Sequence, residues 1–460
     1  MAPAPRRTRE PNHRLGALLA ASGRSRKGLA QRVNELSAQR GQPRAYTHTS
    51  VGNWVDKGMI PDAPAPELIA VALGERLGRP VTLGEIGMAG LPADPAAVGL
   101  DFPRDPGDAV RNAANFWSTV HRRDFIGGAF AVAAYTTPVT RWLVQPSAPL
   151  PGHRGSLQVG RADLEELWQA ASEARSWDSK YGGGSWRSSG VADCLRHRAS
   201  PLLVGTYPEK IGAELYRVTA ELARVVGWAA LDMGQHDAAQ RHFIQALALA
   251  RAAGDTEVGS HVMSTMALQA MLRGYPSEAI DMVQGGYERA KGSASPRVLA
   301  FAKMVEARAH GRSRDPRAAS RALSEAETLL GRARPGDDPE WISYMSHTRL
   351  ASDAVEVWRD LGKPKAAFTW NRHADAMPEG SFARSVGLRL TVLGTVHLQG
   401  GSLEEGVAMG HRAVDILARV QSTRARDYVR DYTTELRRWP KEPTVRSLLQ
   451  RARTELAMAS

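Results

Sequence analysis

The stretch "GQHDAAQRHFIQAL", residues 234–247, is the most informative part of the sequence about the fold, because its pattern occurs four more times along the chain. It contains a glycine, a small residue five positions later, an aromatic residue four after that, and a second small residue three further on. Related segments begin at Gly274, Arg314, Gly362 and Gly401. Their first small residues fall at positions 239, 279, 319, 367 and 406, which are separated by 40, 40, 48 and 39 residues. Such a period predicts stacked helical hairpins, in which small residues let paired helices approach and the glycine makes the turn.

This pattern resembles the tetratricopeptide repeat, most closely in its first copy and less in the later ones. The spacing exceeds the 34 residues usual for that repeat, so we expect longer helices. Working outward, residues 161–460 are interpreted as a tetratricopeptide-like α-solenoid. The composition agrees, since Ala, Leu, Arg and Glu are frequent and β-branched runs are scarce. The predicted fold class is all-α.

Residues 12–90 predict a small five-helix domain, because short amphipathic segments alternate with turn signals. The first helix ends at Gly23, the second follows a Ser25 cap, and the fourth spans about Ala65 to Leu77, with a last turn at Leu83 and Ile86. The third helix lies in "THTSVGNWVDKG", residues 47–58. Its apolar residues, Val51, Trp54 and Val55, make only a narrow seam, with Trp54 expected in the core. The other face is small, polar and uncharged, which suits base edges.

The positive charge is concentrated at the N-terminus. The whole chain carries a formal net charge of +12, and residues 1–60 hold eleven Lys and Arg against three Asp and Glu, a local excess of +8. This concentration indicates a polyanionic partner, although a solvated basic face is the simpler alternative. Residues 1–11, with Arg6, Arg7 and Arg9, are predicted to be a disordered basic arm that either reaches a DNA groove or stays in solvent.

Residues 91–160 are rich in Pro, Gly and Asp and are interpreted as a linker with docking helices. Helices are expected near Asp108–Trp117 and at Asp124–Tyr135, the second buried, docking between the two main domains, and ending before Pro138. The segment "KYGGGSW", residues 180–186, is expected to be a turn between helices. The lone cysteine, Cys194, fits a reducing compartment. The apolar run within "HRRDFIGGAFAVAA", residues 121–134, is too short for a membrane span. We expect a cytoplasmic, nucleoid-associated protein without membrane contact.

Several motifs of the N-terminal half resemble a known class of regulator. "RKGLAQRV" (26–33), the third helix and "LIAVALGERLGRPVTLGEIG" (68–87) resemble the Cro-type (XRE) helix-turn-helix of repressors, here with a longer turn, "SAQRGQPRAYTH" (37–48). "FPRDPGDAVRNA" (102–113) and "GAFAVAAYTTPVTRWL" (128–143) follow, and then the repeats. This order resembles the NsdA-like actinomycete regulators of differentiation and antibiotic production along essentially the whole chain.

The resemblance implies a transcriptional regulator that binds double-stranded DNA as a homodimer. By position in the third helix, His48, Thr49 and Asn53 are expected to contact bases; the amide of asparagine pairs well with adenine and threonine with thymine. Phosphate contacts are expected from four flanking cations, which would fix register without reading sequence. These cations are Arg26, Lys27, Arg44 and Lys57. A different interpretation stays open, namely an interaction scaffold or signalling adaptor that does not bind DNA.

The repeats offer a possible ligand face. The first helix of each hairpin is expected to line the inner surface of the array, where polar and aromatic residues lie among small ones. These residues are His261, Gln269, Tyr344, His347 and Arg384. A peptide or small-molecule effector is one expectation, and a purely structural array that holds a dimer together is the other. No phosphate loop, HExxH, paired cysteines or GxSxG occurs in the sequence, so we predict no active site, no cofactor and no metal site.

Overall fold

The computed structural model describes residues 11–39, 43–61, 64–88, 98–119, 129–145, 150, 157–184, 186–334, 336–374 and 382–456. All regular secondary structure within these ranges is helical, which confirms the all-α prediction. The helices are α1 (His13–Ala21), α2 (Arg26–Gln39), α3 (His48–Asp56), α4 (Ala65–Leu77), α5 (Pro106–Thr119), α6 (Thr136–Val144), α7 (Arg161–Tyr181), α8 (Trp186–Cys194), α9 (Ser200–Leu203), α10 (Glu209–Asp232), α11 (His236–Ala252), α12 (Thr256–Leu272), α13 (Pro276–Ala290), α14 (Pro296–Arg312), α15 (Pro316–Arg332), α16 (His347–Asp360), α17 (Pro364–Asn371), α18 (Ala383–Gln399), α19 (Leu403–Leu417), α20 (Thr423–Leu436) and α21 (Pro443–Glu455).

The chain divides into two compact units. The first comprises residues 1–128, 148–165 and 194–216, and the second residues 129–147, 166–193 and 217–460. Helices α7 and α10 therefore each contribute to both units. The segment predicted as one linker is shared too, since α5 belongs to the first unit and α6 to the second. No helix of the described residues is long and apolar enough to cross a membrane.

Helices α1 to α4 form around the predicted apolar seams. The side chain of Asn12 caps α1 by accepting from the backbone N–H of Leu15 at 3.1 Å, and α4 ends at Gly78 in the left-handed conformation. The expected fifth helix is only a hydrogen-bonded turn, in which the N–H of Ile86 donates to Thr82. The core of these helices holds Leu15, Leu29, Val33, Val51, Trp54, Leu68, Ile69, Leu73 and Ile86.

Of the two helices predicted in residues 91–160, one is present as expected and the other differs. Helix α5 confirms the island expected near Asp108–Trp117. The helix expected at Asp124–Tyr135 lies partly outside the described residues. Its described end, Val132–Tyr135, is a single 3₁₀ turn that leads into α6. Pro138 does not end a helix there; it lies in the first turn of α6, where a missing N–H removes no helical hydrogen bond.

The second unit contains the predicted hairpins. Consecutive helices pair as α10/α11, α12/α13, α14/α15, α16/α17, α18/α19 and α20/α21 in a solenoid-like succession. Most have 13 to 17 residues, as the long period predicted; α10 is longer, with 24, and α17 has only 8. The first small residue after each of the first five turns is buried, including Ala239, Ala279, Ala319 and Ala367 at 0 % exposure. The 48-residue interval has a physical cause, because residues 333–346 insert a 3₁₀ turn, Glu340–Ile342, before α16.

The turns inside the first five hairpins share one backbone conformation. Gly234, Gly274, Gly362 and Gly401 have φ between 64° and 89°, the left-handed region that glycine adopts without steric cost. The third repeat has Arg314 at this position, with φ of 62°. An exposed arginine can therefore adopt the left-handed conformation of this turn. For that reason the third repeat lacks the glycine but keeps the spacing of 40 residues.

The "KYGGGSW" segment is the turn expected between α7 and α8. The N–H of Gly183 donates to the carboxylate of Asp232 at 3.0 Å, and the N–H of Gly184 donates to the carbonyl of Gln421 at 3.1 Å. An added Cβ on Gly182 would lie 2.4 Å from that same carbonyl. The glycines are therefore explained by close backbone packing, and no nucleotide loop is needed to account for them.

Candidate functional site

The third helix is held by one narrow apolar seam. Val51 and Trp54 are buried, and the ring of Tyr46 meets Trp54 edge to face with centroids 5.1 Å apart. The side-chain amide of Asn34 grips the backbone of Tyr46 on both sides, donating to its carbonyl at 2.9 Å and accepting from its N–H at 2.8 Å. These two hydrogen bonds anchor the end of the turn between α2 and α3. The burial of Trp54, which is 4 % exposed, confirms the expectation that it is a core residue.

The predicted base-reading residues lie on the opposite side of that seam. His48 and Thr49 are exposed and Asn53 is half-buried. The amide of Asn53 has no hydrogen-bond partner among the described residues, so it is available to a ligand. Ser50 has a different role, because its hydroxyl accepts from the N–H of Thr47 at 3.2 Å and so caps the helix. Part of the run of small polar residues is thus explained by capping.

The four expected phosphate-binding residues, Arg26, Lys27, Arg44 and Lys57, are all exposed. Arg26 is already engaged, since its guanidinium donates twice to the carboxylate of Asp56, at 2.7 and 2.9 Å. The pair lies over Gly52, where an added Cβ would be 3.3 Å from Arg26 Nη1. The other three cations form no ion pair with any described residue. The cationic rim is therefore partly neutralised by an acidic residue of α3 itself.

A cavity of about 280 Å³ lies within the second unit. Its walls come from α7, from the first helix of successive hairpins (α10, α12, α14, α16 and α18), and from residues 340–344. This agrees with the expectation that first helices line the inner surface. The lining combines arginines, carboxylates, hydroxyls and aromatic rings. Its polar and aromatic members include Ser172, Arg175, Ser176, Asp178, Ser179, Arg224, Trp228, Phe301, Glu340, Trp341, Tyr344, Arg349, Arg384 and Ser385.

Ion pairs fix the cavity walls. Arg384 binds Asp178 through two hydrogen bonds of 2.8 and 2.6 Å and reaches Asp232 at 3.0 Å. Glu221 accepts two hydrogen bonds from Arg224, at 2.7 and 2.8 Å, and one from Arg175 at 2.9 Å. Burial alone would raise the pKa of Glu221, but the charges of Arg224 and Arg175 lower it to about 2. The carboxylate therefore stays ionised at neutral pH and is shared by two arginines.

The residues predicted as a ligand face separate into two groups. Tyr344 and Arg384 line the cavity, and His261 lies directly behind it, stacked on Trp341 at 4.8 Å with Nε2 2.9 Å from the hydroxyl of Tyr344. Burial, and next the charge of Arg224, lower the pKa of His261 well below its usual value, so this ring is neutral.

The other two expected residues do not join that group. Gln269 is fully buried, accepts from the hydroxyl of Tyr135 and donates to the carbonyl of His236 at 2.7 Å. These bonds occupy its amide and make it a residue of the core. His347 is exposed at the first position of α16 and does not line the cavity. Both placements depend on the direction in which the side chain leaves its helix.

Several cavity residues were missed at the sequence level. Ser172, Arg175, Ser176 and Ser179 recur on α7 at the three- and four-residue spacing of one helix face. That spacing usually marks an apolar stripe, and here serine and arginine fill it. A stripe of serine and arginine on one face of a helix was the pattern from which this wall of the cavity could have been predicted. Among the described residues, no group of His, Cys, Asp and Glu is arranged to hold a metal ion.

Comparison with known proteins gives one similarity. The family model described as "SP15 N-terminal domain" matches residues 15–89, which covers α1 to α4 and the turn after them. No curated protein matches the chain significantly. The first helical domain is thus similar to the SP15 N-terminal domain, and the repeats have no counterpart in that match.

Proposed function

We propose that this protein is a DNA-binding transcriptional regulator, with residues 12–90 as its DNA-binding domain. One observation carries the proposal. Helix α3 buries Val51 and Trp54, and on its other side it presents an uncharged polar face. Exposed cations border that face, and the long turn before it is anchored by Asn34. A short helix with this division suits insertion into a major groove.

The proposed roles follow from side-chain chemistry. Asn53 has a free amide, whose Nδ2 can donate to adenine N7 while its Oδ1 accepts from the N6 amino group, the bidentate pairing that distinguishes adenine. His48 and Thr49, with Nε2 and Oγ1 3.5 Å apart, stand together at the helix start and would contact the neighbouring base pair. Lys27, Arg44 and Lys57 would bind phosphates and orient the helix.

The repeats are proposed to place two such heads on one site. A single domain of this size covers a half-site, and a dimer gains affinity from binding both halves at once. The repeat unit would supply the dimer contacts, and it would also receive an effector. The resemblance to NsdA-like regulators supports a target in differentiation or secondary metabolism.

The test begins with selection of preferred duplexes by the full chain from a random library. Affinity for the selected site and for random DNA is then measured by fluorescence anisotropy over a salt series. Asn53→Ala should weaken the selected site by about 1–3 kcal/mol and leave random DNA nearly unchanged. Lys27→Ala should weaken both alike and reduce the salt slope by about 1.

A matched control is Arg321→Ala, which removes an exposed arginine of α15 in the second unit. It should change neither affinity nor slope. If the full chain shows no salt-dependent binding to any duplex, the scaffold alternative replaces the regulator. If Asn53→Ala and Lys27→Ala behave alike, the assignment of the reading face is wrong although DNA binding stands.

A further inference from the structure

The cavity of the second unit carries donors that the protein itself does not satisfy. Arg349 donates to Asp353 through Nε, and its two terminal nitrogens have no partner among the described residues. Arg175 uses only Nη1, toward Glu221. Arg384 is 3 % exposed, yet its Nε has no hydrogen-bond partner in the described chain. Of these donors only Arg384 Nε is buried, where an unpaired donor is costly. The side chains of Arg175 and Arg349 are 19 % and 22 % exposed, so their open nitrogens are accessible to a ligand in the cavity.

The charges point to the sign of that ligand. Glu221 is bonded to both Arg175 and Arg224, and neither arginine has another ion pair among the described residues, so one of these positive charges is uncompensated. Asp353 pairs with Arg349 and, at 3.1 Å, with Arg308, but Arg308 has a second carboxylate in Glu356 at 2.9 Å, so the charge of Arg349 is balanced. Arg384 and Arg424 are also matched, by Asp178 and Asp232. The excess positive charge therefore lies beside Arg175, and Arg349 adds open guanidinium donors, so this part of the wall suits an anion; the exposed carboxylate of Glu340 lines the cavity as well.

The remaining surfaces point to the shape of the ligand. Trp228, Phe301, Trp341 and Phe382 supply flat apolar surface, and serine hydroxyls lie around them. Burial raises the pKa of Tyr344 to about 12, so its phenol remains neutral. A volume of about 280 Å³ is near the lower end for small-molecule pockets, roughly 300–1,000 Å³. An extended peptide would need a longer groove.

We propose that this cavity binds a small planar organic anion, with its carboxylate or phosphate held by Arg175 and Arg349. The ring of the ligand lies among the aromatic side chains of the wall. This names the chemical class of the effector in the proposed function. The binding itself is independent of DNA, so a failure of DNA binding leaves this inference standing.

The test measures binding to the full chain by isothermal titration calorimetry at millimolar ligand. The probes are 2-naphthoate, indole-3-acetate and adenosine monophosphate, which present a planar ring with a carboxylate or a phosphate. Two comparators separate the features, because 2-naphthalenemethanol keeps the ring without the charge and cyclohexanecarboxylate keeps the charge without the planar ring. At least one planar anion should bind, and both comparators should bind at least roughly tenfold more weakly.

The variants Arg175→Met and Arg349→Met remove one guanidinium each and keep the length of the side chain. Both leave their carboxylate paired, Glu221 with Arg224 and Asp353 with Arg308. Each should weaken the planar anion roughly tenfold or more, whereas the exposed control Arg321→Met should not change its affinity. If either variant unfolds, the lysine replacement at that position is used, which keeps the charge and loses the fork.

Three results would overturn the proposal. The first is that none of the planar anions binds the wild-type chain. The second is that 2-naphthalenemethanol binds as tightly as 2-naphthoate, which would make the cavity an apolar site. The third is that folded Arg175 and Arg349 variants bind the anion as tightly as the wild type, which would place the ligand elsewhere. A difference between carboxylate and phosphate probes identifies which anionic group the arginines prefer.

Discussion

Replacing Asp56 by asparagine is expected to tighten DNA binding. The carboxylate of Asp56 now occupies the guanidinium of Arg26 at 2.7 and 2.9 Å, on the face proposed to meet DNA. The two side chains are 46 % and 53 % exposed, so the pair contributes at most about 1 kcal/mol to the stability of the folded domain. Asp56→Asn keeps the side-chain size, removes a negative charge from the interface, and frees Arg26 for a phosphate.

The magnitude follows from counterion release. Each additional phosphate contact steepens the slope of log K against log salt by about 0.9, so one new contact is worth roughly eightfold at 0.1 M salt relative to 1 M. We therefore expect Asp56→Asn to bind random duplex up to roughly eightfold more tightly at 0.1 M salt, and equally near 1 M. Fluorescence anisotropy with a labelled duplex across a potassium chloride series measures both quantities.

The matched control is Glu85→Gln, which makes the same change of charge at another exposed ion pair of the domain, Arg79–Glu85 at 2.7 Å. It lies on the turn after α4, away from α3 in the sequence, and glutamine can still accept from the N–H of Thr82. It should leave the slope unchanged. An equal gain in DNA affinity in both variants would mean that the change in net charge alone causes the effect. An unchanged or weaker affinity in Asp56→Asn would contradict the proposed role of Arg26.

Three further expectations concern stability. Arg314→Gly should stabilise the repeats by about 0.5–1 kcal/mol, because a non-glycine residue in the left-handed region costs about 1–2 kcal/mol and the greater flexibility of unfolded glycine offsets part of that gain. Gly362→Ala, at φ of 64° with open space around the added Cβ, should lower the unfolding midpoint. If both variants shifted the midpoint in the same direction, the argument would be contradicted. Asn34→Ala leaves the backbone groups of Tyr46 unpaired and should cost about 1–3 kcal/mol, seen as faster hydrogen exchange in residues 43–54 with the repeats unaffected. The pKa of Glu221 is lowered to about 2 in the folded chain, against about 4.3 in the unfolded chain, so its carboxylate stabilises the fold above pH 4.3 and loses that contribution as the pH falls toward 2. Glu221→Gln should therefore destabilise the protein strongly at pH 7 and little at pH 2. An equal loss of unfolding free energy at both pH values would exclude the ion pairs as the cause.

Much of the fold could be predicted because it depends on local spacing. The small residues at 239, 279, 319, 367 and 406 are buried where helices approach, and the turns of the first five hairpins lie five residues before them. Helices α1 to α4 begin and end near their caps and glycines. These features concern neighbours along the chain, so one sequence contains the information that determines them.

The positions of the side chains in space could not be predicted in the same way. Gln269 looked like a ligand residue, but Tyr135, 134 residues earlier in the chain, occupies its amide. Arg26 looked like a phosphate ligand, and the fold pairs it with Asp56, 30 residues later. The Arg384–Asp178 bond joins residues 206 positions apart and closes one wall of the cavity. Local spacing was enough to predict most of the hairpin helices, their pairing and the period of their turns, because those depend on contacts a few residues apart. It could not predict which polar groups pair with one another and which remain open to a ligand, because those pairings join residues far apart in the sequence.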